Sequence, residues 1–349
     1  MDNTLFFSVF ILSITGILVF DLVFVGKNKH VISLKESALW TSIWVALAAG
    51  FYFIIMHIGE QIHSIDSLAS LIAYKNKYAP HLLVTDNLAE SLAIYRKSIA
   101  TDYLTGYLLE YTLSIDNIFV IMMILKSFSV APKNYKQVLF WGILGAIVLR
   151  CFFIFAGSAL IQKFEWILLV FGGFLIFTGI KMFLDRDKDE KIDVHEHWLV
   201  RFLSGHFRIT PTFEKHHFFV RKNHKFFMTP LFVVLVLIEF TDVIFAFDSI
   251  PAIFSITRDP YIVFFSNIFA IIGLRSLFFL LIKIIEYFHY IKIGVAFLLG
   301  FVGIKLVCHE FLVEIGFKNI YSLYIILFTI LVSIAASFLF PKKEEVGKN

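Results

Sequence analysis

Cysteine, proline and charge are all scarce in this chain of 349 residues. It has two cysteines and seven prolines, and only 17% of its residues are charged. An ordinary soluble domain is about 25% charged and about 45–50% apolar. Here 59% of residues are apolar, Phe alone occurs 43 times, and mean hydropathy is +0.82. These numbers exclude a disordered chain, a collagen-like repeat and a disulfide scaffold. A soluble fold of this length could not cover so much apolar surface with polar groups. The chain is an all-α polytopic membrane protein. Cys151 and Cys308 sit inside apolar runs and read as small buried residues. No long basic soluble domain is present, so nucleic acid is not an expected partner. No phosphate-cradling glycine motif is present either, so direct use of ATP is not expected.

A helix that crosses a bilayer needs about 20 mainly apolar residues. Runs of that kind cover roughly 4–25, 38–58, 103–125, 136–160, 165–184, 228–256, 261–287, 291–309 and 319–340, which makes nine. The first lacks a basic leader and a small-residue cleavage site, so it reads as a span and not as a signal peptide. The segments divide as 1–58 (spans one and two), 59–102 (external), 103–184 (three spans), 185–227 (cytoplasmic, rich in His), 228–309 (three spans) and 310–349 (last span and tail). Residues 70–98 are expected to form a short surface helix with a turn at Pro80. Nineteen Lys and Arg fall on one side of this arrangement and seven on the other. Positive charge stays in the cytoplasm, so the N-terminus is expected outside and the C-terminus inside.

The two blocks of three spans repeat each other. Gly145-Ala-Ile-Val-Leu-Arg150 is similar to Ala270-Ile-Ile-Gly-Leu-Arg275, and Phe174-Leu-Ile-Phe-Thr-Gly179-Ile-Lys181 to Leu298-Leu-Gly-Phe-Val-Gly303-Ile-Lys305. Upstream, Asp116 aligns with Asp248 and Glu110 with Asp242, each six residues before its Asp. An odd number of spans per copy turns the second copy over, so these are inverted repeats. Transporters build midplane sites from such pairs.

Ionisable residues inside spans are functional candidates by default. The acidic ones cluster as Glu110, Asp116 and Asn117 in the third span, and as Glu239, Asp242 and Asp248 in the sixth. Carboxylate, amide and hydroxyl oxygens suit hard cations such as Mn²⁺, Mg²⁺ or Ca²⁺. Neither His nor Cys lies near these motifs, which argues against zinc or copper. On one continuous helix Glu110 and Asp116 lie about 120° apart. A shared ion therefore requires a helix break, for which Pro251 offers a place in the sixth span, or ligands from two helices. Arg150 and Arg275 are candidate charge-coupling groups that fill the site when it empties. The alternative is that acids and bases merely pair to hold helices together. Lys181, Lys283 and Lys305 read as snorkelling side chains. The histidines His195, His197, His206, His216, His217 and His224 read as part of a solvated linker.

Glu110-Tyr-Thr-Leu-Ser-Ile-Asp-Asn-Ile-Phe-Val resembles the E-x-x-L-S-x-D-N-x-F-V signature of the TerC/Alx family. So does the stretch from Glu239 to Pro260, followed by Ser266-Asn-Ile-Phe-Ala-Ile-Ile-Gly-Leu-Arg275. The resemblance covers roughly residues 5–58 and 99–340. It implies a bacterial inner-membrane protein related to manganese exporters, with Mn²⁺ as transported ion and no tightly bound cofactor. It carries ion binding to Glu110, Asp116, Asn117, Glu239, Asp242 and Asp248. The partners it implies are a divalent ion and the lipid bilayer. The rival expectation is a non-transporting partner in an envelope-stress or tellurite-resistance complex. A cysteine placed at Ser67 should react with an impermeant thiol reagent from the periplasm, and one at Thr212 should not. Labelling at both positions, or only at Thr212, would overturn the orientation.

Overall fold

The computed structural model describes residues 3–20, 33–164, 166–184, 198–214, 217–222, 225–284, 290–317 and 319–339; for Asp116 and Lys283 it describes the helical backbone alone. Helices dominate. They are α1 (Asn3–Phe20), α2 (Leu34–Ile58), α3 (Leu68–Tyr78), α4 (Leu88–Ser127), α5 (Pro132–Lys163), α6 (Ile167–Leu184), α7 (Trp198–His206), α8 (Pro230–Phe254), α9 (Pro260–Ile284), α10 (Ile291–Val307), α11 (His309–Glu314) and α12 (Asn319–Leu339). Among the described residues seven helices are long and apolar enough to cross a membrane. Two shorter apolar helices, Phe6–Ile17 and Ile293–Val307, lie on the first and eighth expected runs.

Local sequence sets the helix starts. The Ser33 hydroxyl accepts from the Glu36 amide at 3.2 Å, and Pro132 and Pro230 open α5 and α8, where a missing N–H costs nothing. The Asn87 side chain accepts from the Ala89 and Glu90 amides at 2.9 and 3.4 Å. That cap explains a departure from expectation. The surface helix expected over 70–98 is split: α3 ends at Tyr78, Pro80 follows in the turn, and residues from Leu88 onward belong to the 40-residue helix α4. Polar residues before 103 hide this extension from a hydropathy reading, but nothing in them stops a helix.

The segment ahead of α4 is tied down by polar contacts. Arg96 forks onto Glu60 with two bonds of 2.6 Å, which fixes the 3₁₀ turn Gly59–Ile62 against α4. His63 reaches Asp259 at 3.2 Å and the Tyr95 hydroxyl at 2.9 Å, and the Tyr74 hydroxyl donates to Asp259 at 3.1 Å. Burial and the Asp259 carboxylate hold the Tyr74 phenol well above its ordinary pKa, so it remains a donor. At the other end of the bundle, residues 198–228 are more than a linker. They form α7 and an antiparallel hairpin, β1 (Phe219–Lys222) on β2 (Lys225–Met228). His195, His197, His216 and His224 lie outside the described residues.

Glycines decide how the helices approach. In the α6–α10 pair, Gly172 faces the Gly303 carbonyl, while Gly179 faces the Ala296 carbonyl and the Gly300 amide. A methyl group at Gly179 would lie 2.8 Å from backbone atoms that cannot move aside. These contacts run in opposite chain directions, so the two helices are antiparallel. They are also reciprocal: by the sequence alignment of the two blocks, Gly179 corresponds to Gly303 and Gly172 to Ala296. Gly173, by contrast, faces open space. Helices α5 and α8 run the same way, with Gly142 against Ile238, Gly145 against Glu239 and Gly157 against Phe254. We expect Gly179→Ala and Gly303→Ala each to destabilise the detergent-solubilised protein by about 1–3 kcal/mol, through overpacking. Gly173→Ala should leave its thermal midpoint unchanged or raise it. Equal midpoints for all three variants would contradict the close α6–α10 approach.

Candidate ion site between α4, α5 and α8

Asp242 is the central residue of α8, which runs from 230 to 254. Below it, Ile238 belongs to one apolar cluster, and above it Ala246 belongs to another. Arg150 holds the same position on α5, between Ile143 and Ile154. A polar layer therefore crosses the bundle between two apolar layers. Ionised groups in such a place must find partners or take up protons.

Arg150 organises the layer. It is 1% exposed and is the largest of the fully buried side chains. Its Nε donates to Asp242 Oδ2 at 3.1 Å and its Nη2 to Asp242 Oδ1 at 2.8 Å, a two-pronged bond. Its Nη1 donates to Glu110 Oε1 on α4, and lies 3.4 Å from Asn267 Oδ1 on α9. One guanidinium thus joins four helices. The two carboxylates it bridges are the residues that the sequence repeat pairs with each other.

The remaining candidates are placed less uniformly. Glu239 lies one turn below Asp242 and within electrostatic reach of it, and its carboxylate rests on Gly145, where any side chain would collide. Asp248 accepts a bond from Thr178 Oγ1 on α6 at 3.2 Å. Asn117 is buried. Asp116 sits on the continuous backbone of α4 between Leu113 and Ile118, and its side chain lies outside the described residues. Arg275 is buried near the start of α5, within electrostatic reach of Lys136. No helix break brings the acids together. Helix α4 is unbroken, and α8 continues through Pro251 to Phe254, because that proline falls in the last turn. Ligands from different helices are thus the arrangement that remains open to a shared ion.

Among the described residues, no three His, Cys, Asp or Glu side chains converge as a metal shell in this arrangement. Arg150 stands where a cation between Glu110 and Asp242 would stand. The layer nevertheless has capacity left over. Glu110 Oε2, Glu239 Oε2 and Asn267 Nδ2 are buried without a hydrogen-bond partner among the described residues. Glu110 and Asp242 share one guanidinium, and Glu239 adds a third carboxylate within electrostatic reach of Asp242. When all are ionised, the layer attracts a further cation or a proton. Sequence reasoning missed Asn267 and Thr178. Each is a polar residue in an apolar helix, which was the available signal, but neither carries a charge to draw attention.

This is a polytopic membrane protein with an ionic layer buried at the centre of its bundle. Residues 95–345 match the integral membrane protein TerC family, and the chain belongs to that family. It is 43% identical over 297 residues to Alx of Salmonella typhi, a protein named for a proposed role as a membrane-bound redox modulator; the match covers 83% of this chain and 81% of that one. The protein of the same name from Escherichia coli K12 is 41% identical over 300 residues, covering 84% and 83%. A membrane protein of Rickettsia felis is 39% identical over 327 residues, covering 93% and 96%. No solved structure matches the chain.

Proposed function

We propose that the protein exports a divalent metal ion, Mn²⁺ by its oxygen donors, across the bacterial inner membrane. In this reading α4–α6 and α8–α10 are inverted repeats, the N-terminus is external, and Glu110, Asp116, Asn117, Glu239, Asp242 and Asp248 receive the ion. The observation that carries the proposal is the double carboxylate grip on Arg150. It joins repeat-related residues of α4 and α8 around a buried cation at the middle of the bundle. The reciprocal glycine contacts of α6 and α10 support the same repeat.

Arg150 then acts as the built-in occupant of the empty site. A unit charge about 4 Å away is worth about 4 kcal/mol at an effective dielectric near 20. A dication gains about twice that from each carboxylate, less its dehydration. It can therefore displace the guanidinium when the side chain has somewhere to go. Occupancy by Arg150 and occupancy by metal are exclusive, which gives two states with different helix contacts, as alternating access requires. Export against an inward-negative potential needs a second ion. Glu110 Oε2 and Glu239 Oε2, which have no partner among the described residues, are natural proton acceptors for that exchange.

The second reading, a non-transporting partner whose triad only ties helices together, rests on the same bonds. Variants separate the two. Asp248→Asn keeps shape and the Thr178 contact, so the protein should insert normally while cells accumulate Mn²⁺ and become sensitive to it, as metal analysis of washed cells would report. Asp242→Asn should behave alike but also lose stability, by about 3–5 kcal/mol if the buried guanidinium is left short of a partner. The neutral triple variant Glu110→Gln, Arg150→Gln, Asp242→Asn removes the pairing and its penalty together. Mn²⁺ tolerance in that variant would support helix tying and end the ion-site reading; a folded, inactive protein is the outcome expected here.

A further inference from the structure

Residues 198–228 cover the end of the bundle at which α8 begins, about 18 Å along that helix from Asp242 at 1.5 Å per residue. Backbone bonds fix them at this depth. The Thr229 amide and hydroxyl donate to the Phe218 and His217 carbonyls at 2.9 and 2.7 Å, and Pro230 then opens the span. The inner side of this unit is apolar, since Val200, Ile209, Phe213 and Phe218 pack against the cluster built by α4, α5, α8 and α9.

The outer side is rich in aromatic rings as well. Phe202, Phe207, Phe219 and Phe226 are 50%, 46%, 50% and 73% exposed. Strand pairing gathers two of them on one face of the hairpin: Arg221 lies opposite Phe226, and Phe219 is two residues from Arg221. Phe219 packs on Phe232 in the first turn of α8, with ring centroids 4.4 Å apart, so this face starts at the span and extends outward from it. The Arg221 guanidinium lies 5.6 Å over the Phe226 ring. That contact uses the flat face of the group and leaves its N–H edge for an anion. The opposite face carries Lys225 and Lys222, the latter bonded to Glu214 at 2.6 Å.

Charge points the same way. Residues 198–228 contain six Lys and Arg and a single acid, Glu214, which Lys222 already engages. Arg201, Arg208 and Arg221 are exposed and make no ion pair among the described residues. Uncommitted guanidinium groups among exposed rings, at the depth where a span leaves the hydrocarbon, suit anionic lipid headgroups. An acidic segment would satisfy the arginines but not the rings. The nearest in the chain, 185–197, has six acids and offers only Ile192 and Val194 to four phenylalanines.

We propose that α7 and the hairpin seat on the anionic headgroups of the adjacent leaflet, with Phe219 and Phe226 at the acyl boundary and Arg221 on lipid phosphate. The proposal needs only the membrane-spanning class of the protein and is independent of the metal-transport reading.

The test uses full-length protein carrying Cys151→Ser and Cys308→Ser, reconstituted in nanodiscs of phosphatidylglycerol or phosphatidylcholine. A spin label is placed on Phe226→Cys or on Lys225→Cys, neighbours on opposite faces. Its collisions with oxygen, which concentrates in lipid, are compared with those of a water-soluble nickel chelate. In phosphatidylglycerol the oxygen-to-nickel ratio at 226 should exceed that at 225 by about threefold or more. The excess should shrink in phosphatidylcholine, and in phosphatidylglycerol when Arg201, Arg208 and Arg221 are all changed to Gln. All three are exposed, so the thermal midpoint of that variant in detergent should match the parent; Arg221→Gln alone decides the matter if it does not. Equal ratios at 226 and 225 overturn the proposal and leave the face to segment 185–197 or to a soluble partner. An excess at 226 that ignores both lipid charge and the arginines overturns it too, because the headgroups are then not recognised.

Discussion

A guanidinium buried at the centre of an apolar bundle cannot stand alone. Arg150 is nearly sealed from solvent, and water is not available there to solvate it. Its charge must be met by protein, and α4, α8 and α9 each supply a group. Their positions around α5 follow from this demand: Glu110 and Asp242 must lie at the same depth and on facing sides of one side chain. The small residues along α5, Gly142 and Gly145, let α8 come close enough for the grip to close. The ionic layer and the tight helix packing around it are thus one constraint seen from two sides.

The same constraint separates binding from glue. Buried ion pairs seldom stabilise more than an apolar core of equal volume would. A layer kept only for stability would be expected to satisfy all its atoms, yet Glu110 Oε2, Glu239 Oε2 and Asn267 Nδ2 have no hydrogen-bond partner among the described residues. Unsatisfied buried oxygens beside a removable cation make a layer suited to exchanging protons and ions. A second buried polar network lies at the α3 end of the protein. There His63, Tyr74, Tyr95 and Asp259 link in series and fasten the 59–87 segment to the α8–α9 connection.

Much of this was legible in the sequence. The membrane class follows from hydropathy, and the pairing of Glu110 with Asp242 follows from two motifs six residues from an Asp. What sequence could not give was partnership across helices. Arg150 and Arg275 align in the two similar sequence blocks, and only the structure shows that Arg150 lies between the two acids. The link from Thr178 to Asp248 joins residues 70 positions apart, beyond any local pattern. The length of α4 was hidden because hydropathy marks where lipid begins, not where a helix does. Lys305 is 5% exposed, yet it looked like an interfacial lysine, because depth along a helix says nothing about which face is enclosed. Asn267 was concealed by its neutrality, although a buried amide in an apolar helix demands partners nearly as strictly as a charge does.

The claim that Arg150 and a metal ion compete for one pair of carboxylates is tested most directly by diffraction at the manganese absorption edge. Crystals grown with saturating Mn²⁺ should give an anomalous peak between Glu110 and Asp242, with the Arg150 guanidinium turned away from both. A guanidinium still gripping both carboxylates at saturating Mn²⁺, with no anomalous peak in the layer, would contradict the account.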